Sequence, residues 1–309
     1  NYDISRSIIA YLKEGNIQRA KSLFSTYNNK IKRFKPELDY FFGEYYYYQE
    51  KNHNDALKYL NYIIKNYEST EWIDDALYLK GNIYISKGKN NEANELFQDL
   101  IKSYPATNLK DKVFLSLGQL NFNNGNFKKA VDYFKKSYSI SKNNHTYYNL
   151  GLAHKKLKNY NRARKIFKQI SEKKNLDALK YDSKLNQAYI LMDQQEYNQA
   201  ISVLENLLES APIEYHLEIQ YHIGECYFSL KKYNKAIREY LKVKYYYNYE
   251  SEFNFQWLVT ALFKAGQTYE IQNKYKNATK IYKNIMEISG EKTTYYKTAK
   301  NRIEKISNY

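Results

Sequence analysis

The chain has 309 residues, is 43% hydrophobic, holds only three Pro and ten Gly, and carries a formal net charge of +16. So little Pro and Gly suits a helical protein with few loops, and no run approaches the roughly 18 apolar residues of a membrane-spanning helix. A single cysteine, Cys226, excludes an intrachain disulfide and a disulfide-stapled secreted scaffold. The chain begins at Asn1 instead of Met, as expected of a processed chain or an excised piece, which would leave any targeting signal out of view. The 37 Tyr, alongside many Lys, Asn and Ile, read as the codon usage of a low-GC genome. The charge is local. Residues 1–110 carry 16 basic and 14 acidic side chains and residues 181–309 carry 17 and 15, whereas residues 111–180 carry 16 and 4.

The predicted elements run as pairs of helices. Residues 1–34 hold the least regular pair, with Ile8 where a small residue is usual, as suits the end of an array. Residues 37–70 contain FFGEYYYYQE at 41–50, in which Tyr47 is expected in the core. Tyr45 and Tyr48 are expected to point outward, since four consecutive Tyr cannot all be buried. In residues 74–107, Gly81 and Ala93 are small where two helices must approach, and Tyr84 and Phe97 fill the space they leave. Gly88 supplies the tight turn and Pro105 stops the second helix. Residues 111–143 and 144–177 form the basic pairs, and residues 181–214 end on Pro212 at the same stop position. After residues 217–250, the run KVKYYYNYESEFNFQWLVTALF is predicted as an extended helix, a short turn near Tyr249–Ser251 and a long helix containing Trp257. Residues 259–292 make the eighth pair. A closing helix over 293–308 shows apolar spacing at Tyr296, Ala299, Ile303 and Ile306.

One register runs through all eight pairs. The small residue of the second helix recurs at Ala20, Ala56, Ala93, Ala130, Ala163, Ala200, Ala236 and Ala278, spaced 36, 37, 37, 33, 37, 36 and 42. Four residues later stand Phe24, Leu60, Phe97, Phe134, Phe167, Leu204, Tyr240 and Tyr282. Twelve residues earlier, the last six pairs have Gly81, Gly118, Gly151, Ala188, Gly224 and Gly266. With Tyr84 and Pro105, and with Leu77 and Lys80 replacing the usual Trp and Leu, residues 75–105 follow W-x2-L-G-x2-Y…A-x3-F…P. The chain resembles the tetratricopeptide-repeat family over nearly its whole length. The resemblance implies an all-α fold, a right-handed superhelix (α-solenoid) of about eight helical hairpins plus a closing helix, in a single domain over residues 1–309. The long repeats, with their Tyr-Pro or Tyr-Glu stops and small polar linkers, resemble those of bacterial envelope proteins.

No Gly-rich phosphate loop, nucleophile-elbow Ser or zinc-spaced Cys pair is present, so neither catalysis, a cofactor nor a small-molecule substrate is expected. His222 and Cys226 stand four apart on one predicted helix, but read as a polar helix residue and a packing residue, and no metal is expected. The resemblance implies that the first helix of each repeat lines a concave groove for a peptide or helical segment of a protein partner. Carried onto this sequence, the groove positions are Phe41, Tyr45 and Tyr48, then Tyr78 and Asn82, then Gln119 and Asn123, then Tyr148, Lys155 and Lys156. They continue with Tyr189, Tyr221, Glu225, Phe263 and Gln267. Tyr offers stiff contact area with a hydroxyl, a suitable wall for gripping a peptide. A carboxylate clamp of the chaperone-binding kind finds only a partial match in Asn123, Lys155 and Lys156.

The basic excess forms a belt at Lys128, Lys129, Lys135, Lys136, Arg162, Arg164, Lys165 and Lys168, mostly on second helices and so expected on the convex side. It reads as a solvated face or as a dock for an acidic protein, an anionic membrane surface or a nucleic acid. The expected function is a non-enzymatic scaffold that assembles a protein complex, in the periplasm of a bacterial envelope; the alternatives are binding through the belt, and a cytoplasmic setting.

Overall fold

The computed structural model describes residues 1–173, 177–247 and 252–307, and the expected turn near Tyr249–Ser251 lies outside them. Every regular element among the described residues is helical, and the chain divides into two compact units, Asn1–Leu157 and Lys158–Tyr309. The first unit packs α1 (Tyr2–Lys13) on α2 (Ile17–Thr26), α3 (Lys35–Tyr48) on α4 (His53–Asn66), α5 (Ile73–Ser86) on α6 (Asn90–Ser103) and α7 (Lys110–Asn123) on α8 (Phe127–Ser141). It ends with α9 (Asn144–Lys156), which packs on α8. The second unit opens with α10 (Tyr160–Ser171). It continues with the pairs α11 (Asp177–Asp193) and α12 (Tyr197–Ser210), α13 (His216–Ser229) and α14 (Tyr233–Tyr246), and α15 (Glu252–Ile271) and α16 (Tyr275–Ser289). The closing helix α17 (Thr294–Ile306) packs on α16, capped by the Thr293 hydroxyl, which accepts from the Tyr296 amide at 3.1 Å. The long helix expected around Trp257 is α15, with 20 residues; the helix before it, α14, has an ordinary 14.

The recurring small residues explain the pairing. Ala20, Ala56, Ala93, Ala130, Ala163, Ala200, Ala236 and Ala278 are all fully buried. Of the side chains four residues on, Leu60, Phe97, Phe134, Phe167, Leu204, Tyr240 and Tyr282 are buried and Phe24 is half-buried. The glycines opposite them leave no room for a side chain. A Cβ on Gly81 would sit 2.3 Å from the Phe97 ring, and one on Gly118 2.5 Å from Phe134. Where the first helix has Ala188, the second answers with the smaller Leu204 instead of an aromatic ring. Volume is conserved across the pair, as close packing demands.

Each turn between first and second helix has one residue in the left-handed region, always five before the buried Ala: Gly15, Lys51, Gly88, Gly125, Lys158, Gln195, Lys231 and Asn273. The next amide then returns to a carbonyl of the first helix, as in Asn16 to Tyr11, Lys89 to Tyr84, Asn126 to Asn121 and Glu196 to Leu191, each at 2.8 Å. That is the bond pattern of a left-handed helix cap. In the second hairpin the corresponding bond, Asn52 to Tyr46, spans one residue more, because the link from α3 to α4 is one residue longer than that from α5 to α6. The small residue of α3 is therefore Gly43, whose Cβ would meet Leu60 at 2.9 Å. This shift corrects the expectation for Tyr47: Tyr46 is the buried side chain, whereas Tyr47 is half-buried and its hydroxyl bonds Ser86 Oγ at 3.1 Å.

Polar links join neighbouring repeats within each unit. Arg6 donates twice to the Glu37 carboxylate, at 2.6 and 2.7 Å, tying α1 to α3. Thr107 Oγ1 donates to Asp74 Oδ2 at 2.6 Å, tying the end of the third repeat to its own first helix. In the second unit Arg302 on α17 makes a forked pair with Glu270 on α15, at 2.8 and 3.2 Å, and the Tyr282 hydroxyl donates to the same carboxylate.

Candidate functional site

In the first unit the first-helix faces carry an aromatic surface that leads to a pocket. On α3 the Phe41 ring lies 5.6 Å from Tyr40 and 5.7 Å from Trp72, and the Lys13 ammonium rests 5.4 Å from its centre. Tyr48 is 60% exposed. Burial pushes the Glu44 and Asp75 carboxyls on this surface up, each opposed by a lysine, Lys13 and Lys112 respectively. Tyr78 and Asn82 on α5 are half-buried, with the Tyr78 ring 5.7 Å from Phe97. Tyr45 joins Lys13, Phe41, Glu44 and Tyr48 in lining a pocket of about 130 Å³ on this surface. Tyr45 is 6% exposed, its hydroxyl donates to Glu50 at 2.8 Å, and burial pushes its pKa up to about 12. The shift of register that turns Tyr46 inward turns Tyr45 inward as well.

Around α7 the face opens into a pocket of about 330 Å³. Its floor is Leu120 and Phe134, its apolar sides are Ile85, Phe122 and Leu152, and its amides are Gln119, Asn123 and Asn149. Gln119 and Asn123 are exposed, and both were expected in the groove. Asn149 and Leu152 were not. Leu152 follows Gly151 as Gln119 follows Gly118 and Asn82 follows Gly81, so the register already marked its position. Further along α9, Tyr148 and Lys155 are half-buried and Lys156 is exposed.

In the second unit the same positions are turned to internal use. Tyr221 is 9% exposed, packed 5.3 Å from Trp257 and 5.9 Å from Tyr240. Glu225 accepts from the Tyr240 hydroxyl and from Lys264 Nζ at 3.1 Å. Tyr189 donates to Glu218, whose carboxyl burial pushes up, and packs edge-on against His222 at 4.7 Å. Phe263 lies 6.0 Å from Tyr282, and Gln267 is half-buried. Tyr221, being buried, is thus a correction, while Glu225 stays half-buried and links α13 to α14 and α15. Where the second helix supplies Tyr240 instead of Phe, its buried hydroxyl needs an acceptor, and Glu225 is that acceptor. Cys226 is fully buried beside them, its thiol pushed up to about 12 by burial.

The belt residues are all exposed: Lys128, Lys129, Lys135 and Lys136 on α8 of the first unit, and Arg162, Arg164, Lys165 and Lys168 on α10 of the second. Lys136 rests 5.5 Å from the Phe114 ring and Lys168 lies 3.8 Å from Glu172.

With this repeating geometry, family models of the tetratricopeptide repeat match residues 75–107, 111–144, 145–172, 185–245 and 259–292. The chain belongs to the tetratricopeptide-repeat family. The matches begin at the third repeat, after the two whose register departs at Ile8 and at the longer turn before Ala56. Among solved structures, the chain is similar to a tetratricopeptide-repeat protein from Parabacteroides merdae, with 15% identity, a TM-score of 0.61, and 89% of this chain and 99% of that one covered. It is similar also to the C-terminal part of a repeat-containing protein from Cytophaga hutchinsonii, with 20% identity, a TM-score of 0.62, and 82% and 99% covered. Both likenesses concern the fold. No curated protein matches it in sequence. Tetratricopeptide repeats are a non-catalytic fold that mediates protein–protein interaction. In this tetratricopeptide chain the amides around the α7 pocket can both donate to and accept from an extended backbone, while the apolar floor takes a side chain.

Proposed function

We propose that the chain is a non-enzymatic scaffold that holds a segment of a partner protein against the first-helix face of its first unit. The observation that carries the reading is the α7 pocket, apolar at its base and ringed by Gln119, Asn123 and Asn149. None of its lining residues is charged, which favours an uncharged side chain flanked by main chain over an ionic ligand. The aromatic surface of α3 and α5 extends the same face with stiff contact area. We place the scaffold in the assembly of a bacterial envelope machine for secretion, outer-membrane biogenesis or motility, in the periplasm. That setting rests on the long repeats with their Tyr-Pro and Tyr-Glu stops.

The test is a pocket-filling substitution. Gln119→Trp at this exposed position leaves the helical circular dichroism unchanged. Affinity capture from lysate of the source cells then compares it with the wild-type chain. Proteins held by the wild type through high salt are lost from the variant; retention of the same set by both would place the interface elsewhere. A second reading, binding of nucleic acid or an anionic membrane surface, draws support from the exposed basic side chains of α8 and α10. It differs in salt response, since such complexes weaken steeply with ionic strength.

A further inference from the structure

The second unit has a cleft of about 500 Å³ on its second-helix side, between α14 and α16. Lys276, Lys280 and Lys283 reach it from one face of α16 at helical spacing, and Lys244 reaches it from α14. Among the described residues none of these four side chains has an ion pair, a hydrogen bond or an aromatic ring as partner. Other cations of the unit do: Lys242 pairs with Glu239, Lys264 with Glu225 and Arg302 with Glu270. Among the described residues, Glu287 is the single acidic one at the cleft, against four lysines. Like charges placed around one concavity repel, and its low-dielectric walls focus their field outward. Thr279 and Asn284 add neutral polar groups to the lining.

We infer that this cleft binds an acidic segment of a protein partner, with glutamate or aspartate carboxylates seated among Lys244, Lys276, Lys280 and Lys283. The lining disfavours other polyanions. Among the described residues no aromatic ring lines it for a nucleic-acid base to stack on. A membrane surface would meet a concavity whose apolar contribution is the buried Ile281, where interfacial binding calls for a protruding apolar face. The cleft belongs to the second unit and the α7 pocket to the first, and no residue lines both.

The probe is a fluorescein-labelled peptide of about ten glutamates, followed by anisotropy with the full chain at about 0.1 M salt. The triple variant Lys276→Ser, Lys280→Ser, Lys283→Ser is expected to weaken binding at least about tenfold. The control triple Lys128→Ser, Lys129→Ser, Lys136→Ser on α8 stays within about twofold of the wild type. Equal binding by the α16 triple, or an equal loss in the α8 triple, would overturn the assignment. A second measurement needs no variant: carbodiimide coupling of the peptide to the wild-type chain, mapped by mass spectrometry. It should place adducts at Lys244, Lys276, Lys280 and Lys283, and adducts concentrated on α8 or α10 would overturn it. So would displacement of the peptide by an oligothymidine at lower concentration than by unlabelled peptide, which would make the cleft a nucleic-acid site.

Discussion

Asp39 on α3 is 3% exposed, its Oδ2 accepts no hydrogen bond, and burial pushes its carboxyl up to about 7 against a small opposing pull from Lys35. The Tyr59 and Tyr67 hydroxyl groups feel its charge, which helps to raise their own pKa values. The folded protein therefore holds a proton that the unfolded chain has released above its ordinary value of 3.8. Stability from this residue is full below that value, falls as pH rises through the window, and is lowest above about 7. Asp39→Asn keeps the shape and removes the charge. It should raise stability at pH 8 by on the order of 3 kcal/mol and flatten the slope. Urea midpoints collected between pH 4 and pH 8 check this; a wild-type midpoint that does not fall with pH would contradict it.

At the scale of the helical hairpin, the turn residue five before each buried Ala must take a left-handed backbone, yet only Gly15, Gly88 and Gly125 are glycines there. Lys51, Lys158, Gln195, Lys231 and Asn273 adopt it at a cost of about 1 kcal/mol for a side chain with a Cβ. Lys51→Gly and Gln195→Gly should each stabilise the protein by roughly 0.5–1 kcal/mol, the gain being trimmed by the freer unfolded chain. Thermal unfolding of each variant measures it, and a lower midpoint would deny the turn geometry. The contrast also explains what was legible in the sequence. The Ala and aromatic anchors are chosen by packing, which tolerates few residue types, so their spacing reveals the fold. The turn position tolerates Lys and Gln at modest cost, so its chemistry marks it only where it is glycine, as at Gly88. The longer link before Ala56 likewise hid Gly43 and put Tyr46 in the core place expected of Tyr47.

Across the whole chain, the candidate site was legible in part. Gln119 and Asn123, assigned to the groove by their register after Gly118, line the α7 pocket. Glu225 follows Gly224 as Gln119 follows Gly118, yet it stays half-buried in a bond to the Tyr240 hydroxyl, and Tyr221 packs against Trp257, contacts made by residues distant in sequence. Asn149 and Leu152 join the pocket from α9, a convergence of neighbouring helices that a single repeat does not disclose. The lysine cleft draws its side chains from α14 and α16, whose separation of 42 residues between anchors exceeds that of every other pair of repeats. The central claim is that the partner meets the first-helix face at α7. It is tested most directly by placing a photo-crosslinking amino acid at Gln119 in one sample and at Lys129, on the exposed side of α8, in another, followed by irradiation in the source cells. The account predicts a defined protein adduct from position 119 and none in common from position 129. Adducts from position 129 alone would contradict it.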